Sequence, residues 1–287
     1  MFETCDLHAH TTASDGSMSP AQLVDYARTK GLRALAVTDH ETVAGLEEAR
    51  RRGREVGVEV IPGVELGTSE QGRTVHMLGL YIDPDSRALG ELLAWQRRSR
   101  QDRNREMIEK LMKLGFDISP EDFEGFDGEK TLLTRAHIGD LLARRGYGAN
   151  QREVGEKYLD KGRVGYVERR TPTAERCVQA IHEAGGLAIA AHPNQISRSS
   201  RDTGIATCRR LLDLGADGIE TLYCEFDDDW RARAEAFAAE TGCLRSGGSD
   251  FHGRYKAGLD LGVGYGDLRV PYAFVEMQKA ALAARVR

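Results

Sequence analysis

This sequence of 287 residues predicts an α/β fold, a closed or nearly closed barrel of seven short strands with a helical cap inserted into it. Three features point there. Short apolar segments alternate with helical stretches along most of the chain, the pattern of a sheet covered by helices. One long block rich in Arg, Glu, Leu and Gly breaks that alternation after the fourth strand. Histidines and carboxylates recur at or just past the ends of the apolar segments, as in barrels whose strand ends converge on one face.

Phe2–Leu7 reads as the first strand. Ser19-Pro20 supplies a cap and a first-turn proline for a helix that stops at Gly31. Ala34–Val37 is a second strand, followed by an Arg/Glu-rich helix from about Thr42 to Val56. Val60–Val64 and Thr74–Tyr81 are the next two strands, within a mostly parallel sheet. The insertion spans residues 98–168, and residues 1–97 and 169–287 form the barrel. Its helices are Leu89–Leu114, closed by Gly115, Leu133–Arg145, closed by Gly146, and Arg152–Leu159. A helical block of this size is a subdomain rather than a loop. Leu187–Ala191, Gly218–Thr221 and Leu244–Ser246 then complete the strands. Between them lie helices Thr173–Ala184, Thr203–Leu214 and Asp228–Thr241, and Val270–Arg287 ends in a terminal helix.

Forty basic against 45 acidic residues leave a net charge of -5. That balance argues against a general nucleic-acid coat or a membrane-surface protein, but allows a small anionic substrate in a locally basic pocket. Met1–Asp6 has neither the charged nor the apolar segment of a signal peptide. No apolar run is long enough to cross a bilayer. Cys5, Cys177, Cys208, Cys224 and Cys243 are odd in number and lack C-x-x-C spacing. They read as reduced thiols, so a cytoplasmic protein without a membrane partner is expected. Nothing in the sequence speaks to oligomeric state.

Six of the eight histidines sit in compact motifs. These are Asp6-Leu7-His8-Ala9-His10 with Ser14-Asp15-Gly16, Thr38-Asp39-His40, Val75-His76, Ala191-His192-Pro193 and Gly248-Ser249-Asp250-Phe251-His252; Glu65 follows Gly63-Val64. Residues i and i+2 of a strand point the same way, so His8 and His10, or Asp250 and His252, can share an ion. One histidine taken alone is usually structural or solvated. Six at successive strand ends are not six accidents. Imidazoles and carboxylates without thiolates suit manganese, zinc or iron rather than magnesium alone, and the donors exceed what one ion needs: two or three divalent ions are expected, manganese being the expected metal and zinc or iron the alternatives. Asp6 and Asp39 could instead orient ligand imidazoles. His182, near a helix end, reads as structural, and His137 fits either role.

Taken together, these motifs resemble the polymerase and histidinol phosphatase (PHP) superfamily over nearly the whole chain. The resemblance implies a distorted seven-stranded (β/α)7 barrel with a di- or trinuclear metal site. It assigns one ion to His8, His10, Glu65 and Asp250, and a second to Glu65, His76 and His192. A third falls to Asp15, His40 and His252, although many relatives have histidine where Asp15 stands. Within the superfamily, the cap between His76 and His192 is similar to that of 3′,5′-nucleoside bisphosphate phosphatases, a group also associated with 5′→3′ exoribonuclease activity.

The implied reaction is hydrolysis of a phosphate monoester by a metal-bridging hydroxide, removing the 3′-phosphate of a nucleoside bisphosphate. Asp15, His40 and His252 are the catalytic candidates, with His40 or His252 protonating the leaving oxygen. Candidate substrate contacts are Asp15, Arg100, Arg103, Asn104, Thr134 and Arg135, since guanidinium forks suit phosphate dianions. Competing readings are a histidinol-phosphate-type phosphatase and a 5′→3′ exonuclease on short RNA or DNA. The exonuclease would stack bases on Tyr147, Tyr158 or Tyr166. A non-enzymatic metal-binding module would have an incomplete donor set, and this one is complete.

Overall fold

In the computed structural model, residues 3–126 and 132–285 are described. Strand β1 (Thr4–Asp6) leads into helix α1 (Pro20–Thr29), then β2 (Ala34–Val37) and α2 (Leu46–Val56). The long β3 (Glu59–Glu70) turns directly into β4 (Arg73–Leu80), and α3 (Arg87–Lys113) follows. A 3-10 turn at Pro120–Phe123, helices α4 (Arg135–Arg144) and α5 (Gln151–Val154), and a π-helical turn at Gly155–Leu159 follow in the insertion, so the helix expected over Arg152–Leu159 is α-helical only to Val154. The chain then returns through α6 (Ala174–Glu183), β5 (Leu187–Ala190), α7 (Pro193–Ile196), α8 (Arg201–Asp213), β6 (Gly218–Tyr223), α9 (Asp228–Thr241), β7 (Leu244–Gly248), β8 (Val270–Pro271) and α10 (Ala273–Arg285).

The eight strands form one sheet in the order β7-β6-β5-β4-β3-β2-β1-β8. Its ends meet: Leu7 N–H donates to Gly247 O, Asp250 N–H to His8 O, and His10 N–H to Phe251 O, at 2.8–3.0 Å. The barrel is therefore nearly closed, with short β8 an extra strand antiparallel to β1.

The larger departure from expectation is β4, which runs antiparallel to both β3 and β5. Gln71 and Gly72 both have positive φ, 48° and 73°, the conformation that joins two strands in a tight hairpin. β3 is also longer than expected, so Glu65 lies within it rather than past its end. Helix α2 starts at Leu46 instead of Thr42, since Ala44 N–H donates to Thr42 Oγ1 in a local turn that precedes the helix. Of the expected first strand, Phe2 lies outside the described residues. Elsewhere the boundaries agree closely, and α1 has a full capping box between Ser19 and Gln22.

Strand alternation sorts the buried side chains. Ile61 and Glu65 share one face of β3, and His76, Leu78 and Leu80 share the facing side of β4. Ile61, Leu78, Leu80, Leu187 and Ile189 form one apolar cluster, so carboxylate and imidazole sit above a greasy floor. The opposite faces, with Leu35, Val37, Val64 and Leu66, pack against the helices. A third cluster, Met107, Leu111, Phe123, Ile138, Leu142, Val154 and Leu159, is the insertion's own core.

Because β4 is reversed, it starts at the functional end of the barrel and finishes at the base. There Asp83 N–H bonds Ala184 O, and α3 begins. The 27-residue α3 climbs back past Gly67, where Gln96 Nε2 donates to the carbonyl, and continues into the insertion. Among the described residues, no helix is long and apolar enough to cross a membrane.

Candidate metal centre

All nine candidate ligands converge. Glu65 is the hub: its Oε1 lies 2.7 Å from His76 Nδ1 and 3.0 Å from His192 Nε2. Its Oε2 lies 3.0 Å from His40 Nδ1, 3.3 Å from His10 Nε2 and 3.4 Å from His8 Nε2. Asp250 Oδ1 is 3.2 Å from His10 Nε2, 3.6 Å from His8 Nε2 and 3.4 Å from His252 Nδ1. Asp15 faces His252, His10 and His40 at 3.3–3.8 Å. These donors fall into four overlapping groups: His8, His10 and Asp250; His8, Glu65 and His192; His40, Glu65 and His76; and His10, Asp15, His40 and His252.

Several buried atoms of the cluster have no hydrogen-bond partner among the described residues: His8 Nε2, both ring nitrogens of His10, Asp15 Oδ1 and His192 Nδ1. Orphaned polar atoms at this density are costly unless something else satisfies them. Nitrogen and carboxylate donors packed within reach of one another fit divalent cations.

Charge in the cluster is correspondingly uneven. Burial would raise the carboxyls of Glu65, Asp15 and Asp250, but the surrounding imidazole and ammonium groups outweigh it and hold all three well below their usual range; the largest such contribution is from His40 for Glu65 and Asp15, and from Lys256 for Asp250. Burial opposes a charge on His10, yet its contacts with Asp250 and Glu65 push its pKa to about 9. His40 goes the other way, to about 3, because burial dominates there.

The backbone is bent to present these groups. Glu41, His192 and Asp250 are non-glycine residues with φ of 53°, 30° and 53°, all at or beside the cluster. Such strain tends to gather at functional sites. Asp39 accepts from Thr11 N–H, Thr11 Oγ1 and Ser14 Oγ at 2.6–2.7 Å, which shapes the loop carrying His10 and Asp15. Asp6 accepts from His8 N–H, Ser249 and Gly262 N–H, tying the first motif to the last. Both aspartates act on the loops around the candidate ligands. His182 pairs with Asp217, away from the cluster. His137 Nδ1 accepts from Thr134 N–H at the start of α4.

Three further residues belong to the site. Glu220 is fully buried, with Oε1 3.1 Å from His8 Nδ1 and Oε2 accepting from His192 N–H at 2.6 Å. Tyr223 Oη and Lys256 Nζ both donate to Asp250 Oδ2, leaving Oδ1 to face the histidines. Glu220 had a readable signal, a lone acid within the apolar run Gly218–Tyr223.

Of the candidate substrate contacts, Arg100, Arg103, Asn104 and Thr134 are buried where the insertion meets the barrel. Arg100 forks onto Glu41, with Nε and Nη2 each 2.8 Å from a carboxylate oxygen. Arg103 is 8% exposed, and its Nε has no partner among the described residues. Asn104 Nδ2 donates to Leu133 O. Leu132 N–H bonds Ala13 O, so this part of the insertion adjoins the Asp15 loop. Arg135 is half exposed and lies 3.5 Å from Asp160. Tyr147 and Tyr158 pack around Phe116 inside the insertion.

Comparison with known proteins agrees with this geometry. The PHP domain family model matches residues 6–145. A 5′-3′ exoribonuclease of Haemophilus influenzae is 36% identical over 88% of this chain and 91% of its own length. A 3′,5′-nucleoside bisphosphate phosphatase of Chromobacterium violaceum is 33% identical over 90% of each chain. A crystal structure described as a metal-dependent phosphoesterase, from Bifidobacterium adolescentis, superposes with a TM-score of 0.87 at 29% identity, covering 97% of this chain and 96% of that one.

Proposed function

This chain belongs to the PHP family of metal-dependent phosphoesterases, and from that premise we propose that it removes the 3′-phosphate from nucleoside 3′,5′-bisphosphates. The observation that carries this reading is Arg103. Its guanidinium is buried, has a nitrogen without a partner among the described residues, and stands among Arg100, Arg135 and Arg169. Burial and those three neighbours all work against its positive charge. A phosphate dianion there would relieve both the orphaned donor and the crowded charge. A substrate with one phosphate at the metal cluster and another at Arg103 uses both features.

In this reading residues 98–168 are the substrate cap and residues 1–97 and 169–287 the barrel. His8, His10, Glu65, Asp250, His76, His192, Asp15, His40 and His252 hold two or three ions, manganese by preference and zinc or iron otherwise. When bound, such ions make a nucleophile available from water near neutral pH and offset charge on the phosphoryl oxygens. Glu65 links the separate donor groups through its two oxygens. His252 Nδ1 donates to the Asp250 carbonyl at 2.8 Å, which fixes the ring and turns Nε2 toward Asp15. Asp15, His40 and His252 adjoin the cap, and proton transfer to the leaving ribose oxygen is assigned to them. Arg100, Arg103, Asn104, Thr134 and Arg135 form the cap's side of the substrate pocket.

The Haemophilus relative favours a second reading, removal of nucleotides from the 5′ end of short RNA. The packing of Tyr147 and Tyr158 against Phe116 gives it no added support. Phosphate release from adenosine 3′,5′-bisphosphate, AMP and histidinol phosphate, beside mononucleotide release from a labelled RNA, separates these readings. A clear preference for the bisphosphate is expected; equal turnover of all three monoesters would sink the proposal.

A further inference from the structure

Asp250 turns its two oxygens to different surroundings. Oδ1 faces the ring nitrogens of His10, His252 and His8 at 3.2–3.6 Å. Oδ2 takes two donors, Tyr223 Oη at 2.8 Å and Lys256 Nζ at 2.5 Å. What lies behind Tyr223 fixes the direction of the first bond. Gln195 Nε2 stands 2.9 Å from Tyr223 Oη and 3.3 Å from Glu225 Oε2, and an amide nitrogen only donates. Tyr223 Oη therefore accepts from Gln195, and its own proton goes to Asp250.

The backbone is shaped to deliver this arrangement. Tyr223 is fully buried on β6, three residues after Glu220. In a regular strand, residues three apart point to opposite faces, yet both of these reach the cluster. The pairing of β6 with β7 shifts register between Glu220 and Leu222, and the extra residue turns Tyr223 back toward Asp250. Gly247 lies opposite, where an added Cβ would stand 2.5 Å from Leu222 O. Lys256 arrives separately, from the loop after β7, six residues beyond Asp250.

Charge sets these supports apart. Glu220 puts an anion behind His8 and His192, which favours cations in the cluster. Lys256 puts a cation behind Asp250, which draws charge from the carboxylate and repels any ion held there. With Oδ2 occupied by two donors, Oδ1 is the oxygen that Asp250 can offer. An ion held by one oxygen rather than two keeps a position free for substrate.

We propose that Lys256 and Tyr223 are positioning residues that keep Asp250 a one-oxygen ligand, which leaves a position at the ion open and loosens the site's grip on it. This rests on the cluster holding divalent cations, and not on which phosphoester is cleaved.

The test compares the wild-type protein with Lys256→Met, Lys256→Arg and Tyr223→Phe. Titration calorimetry gives Mn2+ affinity, and kcat is measured at saturating Mn2+ on the phosphoester of the panel above that turns over fastest. Lys256→Met should bind Mn2+ about 10-fold tighter and lose about 10-fold in kcat. A merely structural role would not give opposed signs, since a damaged site loses both. Tyr223→Phe keeps the ring against His192, removes one donor, and should move both quantities the same way by less. Lys256→Arg, which keeps charge and donors, should restore both toward wild type. Mn2+ binding that is weaker or unchanged in both Lys256→Met and Tyr223→Phe, or a kcat that stays at the wild-type value, would overturn the inference and leave the metal centre standing. A wild-type protein that takes up no Mn2+ would remove both.

Discussion

The Nδ1 atom of His8 lies 3.1 Å from Oε1 of Glu220, on the far side of the ring from Glu65 and Asp250. A carboxylate there holds the proton on Nδ1 and turns the Nε2 lone pair into the cluster. The other oxygen of Glu220 accepts from the His192 N–H, so one side chain orients two candidate ligands. Replacing Glu220 with Ala should lower metal affinity by about 10- to 100-fold, and Glu220→Gln by less. Competition against a chelating dye measures it; unchanged affinity in both variants would show that His8 needs no such support.

Exhaustive chelation should abolish phosphate release, and added Mn2+ should restore it. The stripped protein should also melt earlier, since a ligand bound only by the folded state stabilises it by about 2.7 kcal/mol at 100 times its dissociation constant. Calorimetry with and without metal reads the second effect independently of activity.

Metal uptake should depend on pH with a definite sign. With no ion bound, burial opposes a charge on His10 but Asp250 and Glu65 hold its pKa at about 9. His10 must lose that proton to become a ligand. Affinity should therefore rise with pH from 6 toward 9 and level off above it. His40, at about 3, is already neutral and adds nothing to the slope in that window. Titration calorimetry in buffers of different ionisation enthalpy counts the protons released. Affinity independent of pH between 6 and 9 would contradict the assignment of His10.

Arg103 and Arg135 should not be equivalent. Arg103 is buried with a donor that no described residue uses, whereas Arg135 has a 43% exposed side chain beside Asp160. Exposed ion pairs are screened by solvent and contribute little. Arg103→Ala should raise KM for a bisphosphate more than Arg135→Ala does, and both should affect it more than KM for a simple monoester. Steady-state kinetics on the two substrates decide the order.

Gly248→Ala should damage the site from below. A Cβ at this position would stand 2.5 Å from both the Cβ and the backbone nitrogen of His8, and 2.8 Å from Asp6 Oδ1. Backbone atoms in a packed core cannot retreat cheaply, so a cost of about 1–3 kcal/mol is expected, with weaker metal binding. Thermal melting of the metal-free variant separates the stability loss from the metal effect.

The candidate ligands were legible because each sits in a short motif beside a strand, where side-chain chemistry and position can be read together. His8, His10, His40, His192, Asp250 and His252 are all of this kind. Glu220 was harder, since it stands alone in the buried run Gly-Ile-Glu-Thr-Leu-Tyr, and its meaning comes from His8, 212 residues away. Lys256 and Arg169 have no local motif; only the fold brings them to Asp250 and Glu41. The direction of β4 was in principle readable from Gln71-Gly72, a two-residue turn between strands. Apolar patterning identifies a strand without revealing which way it runs.

That reversed strand settles how the insertion is mounted. A chain leaving the barrel at its base must cross the full height of the domain to reach the cluster, and α3 does so as one rod of about 40 Å. Half of the rod is cemented to the barrel wall and half serves as a beam for the overhanging helices. An overhang held this way cannot swing on a loop at its outgoing end. Its height over the cluster is set by one continuous helix, so any change in that height has to bend α3 or act through the returning end of the insertion.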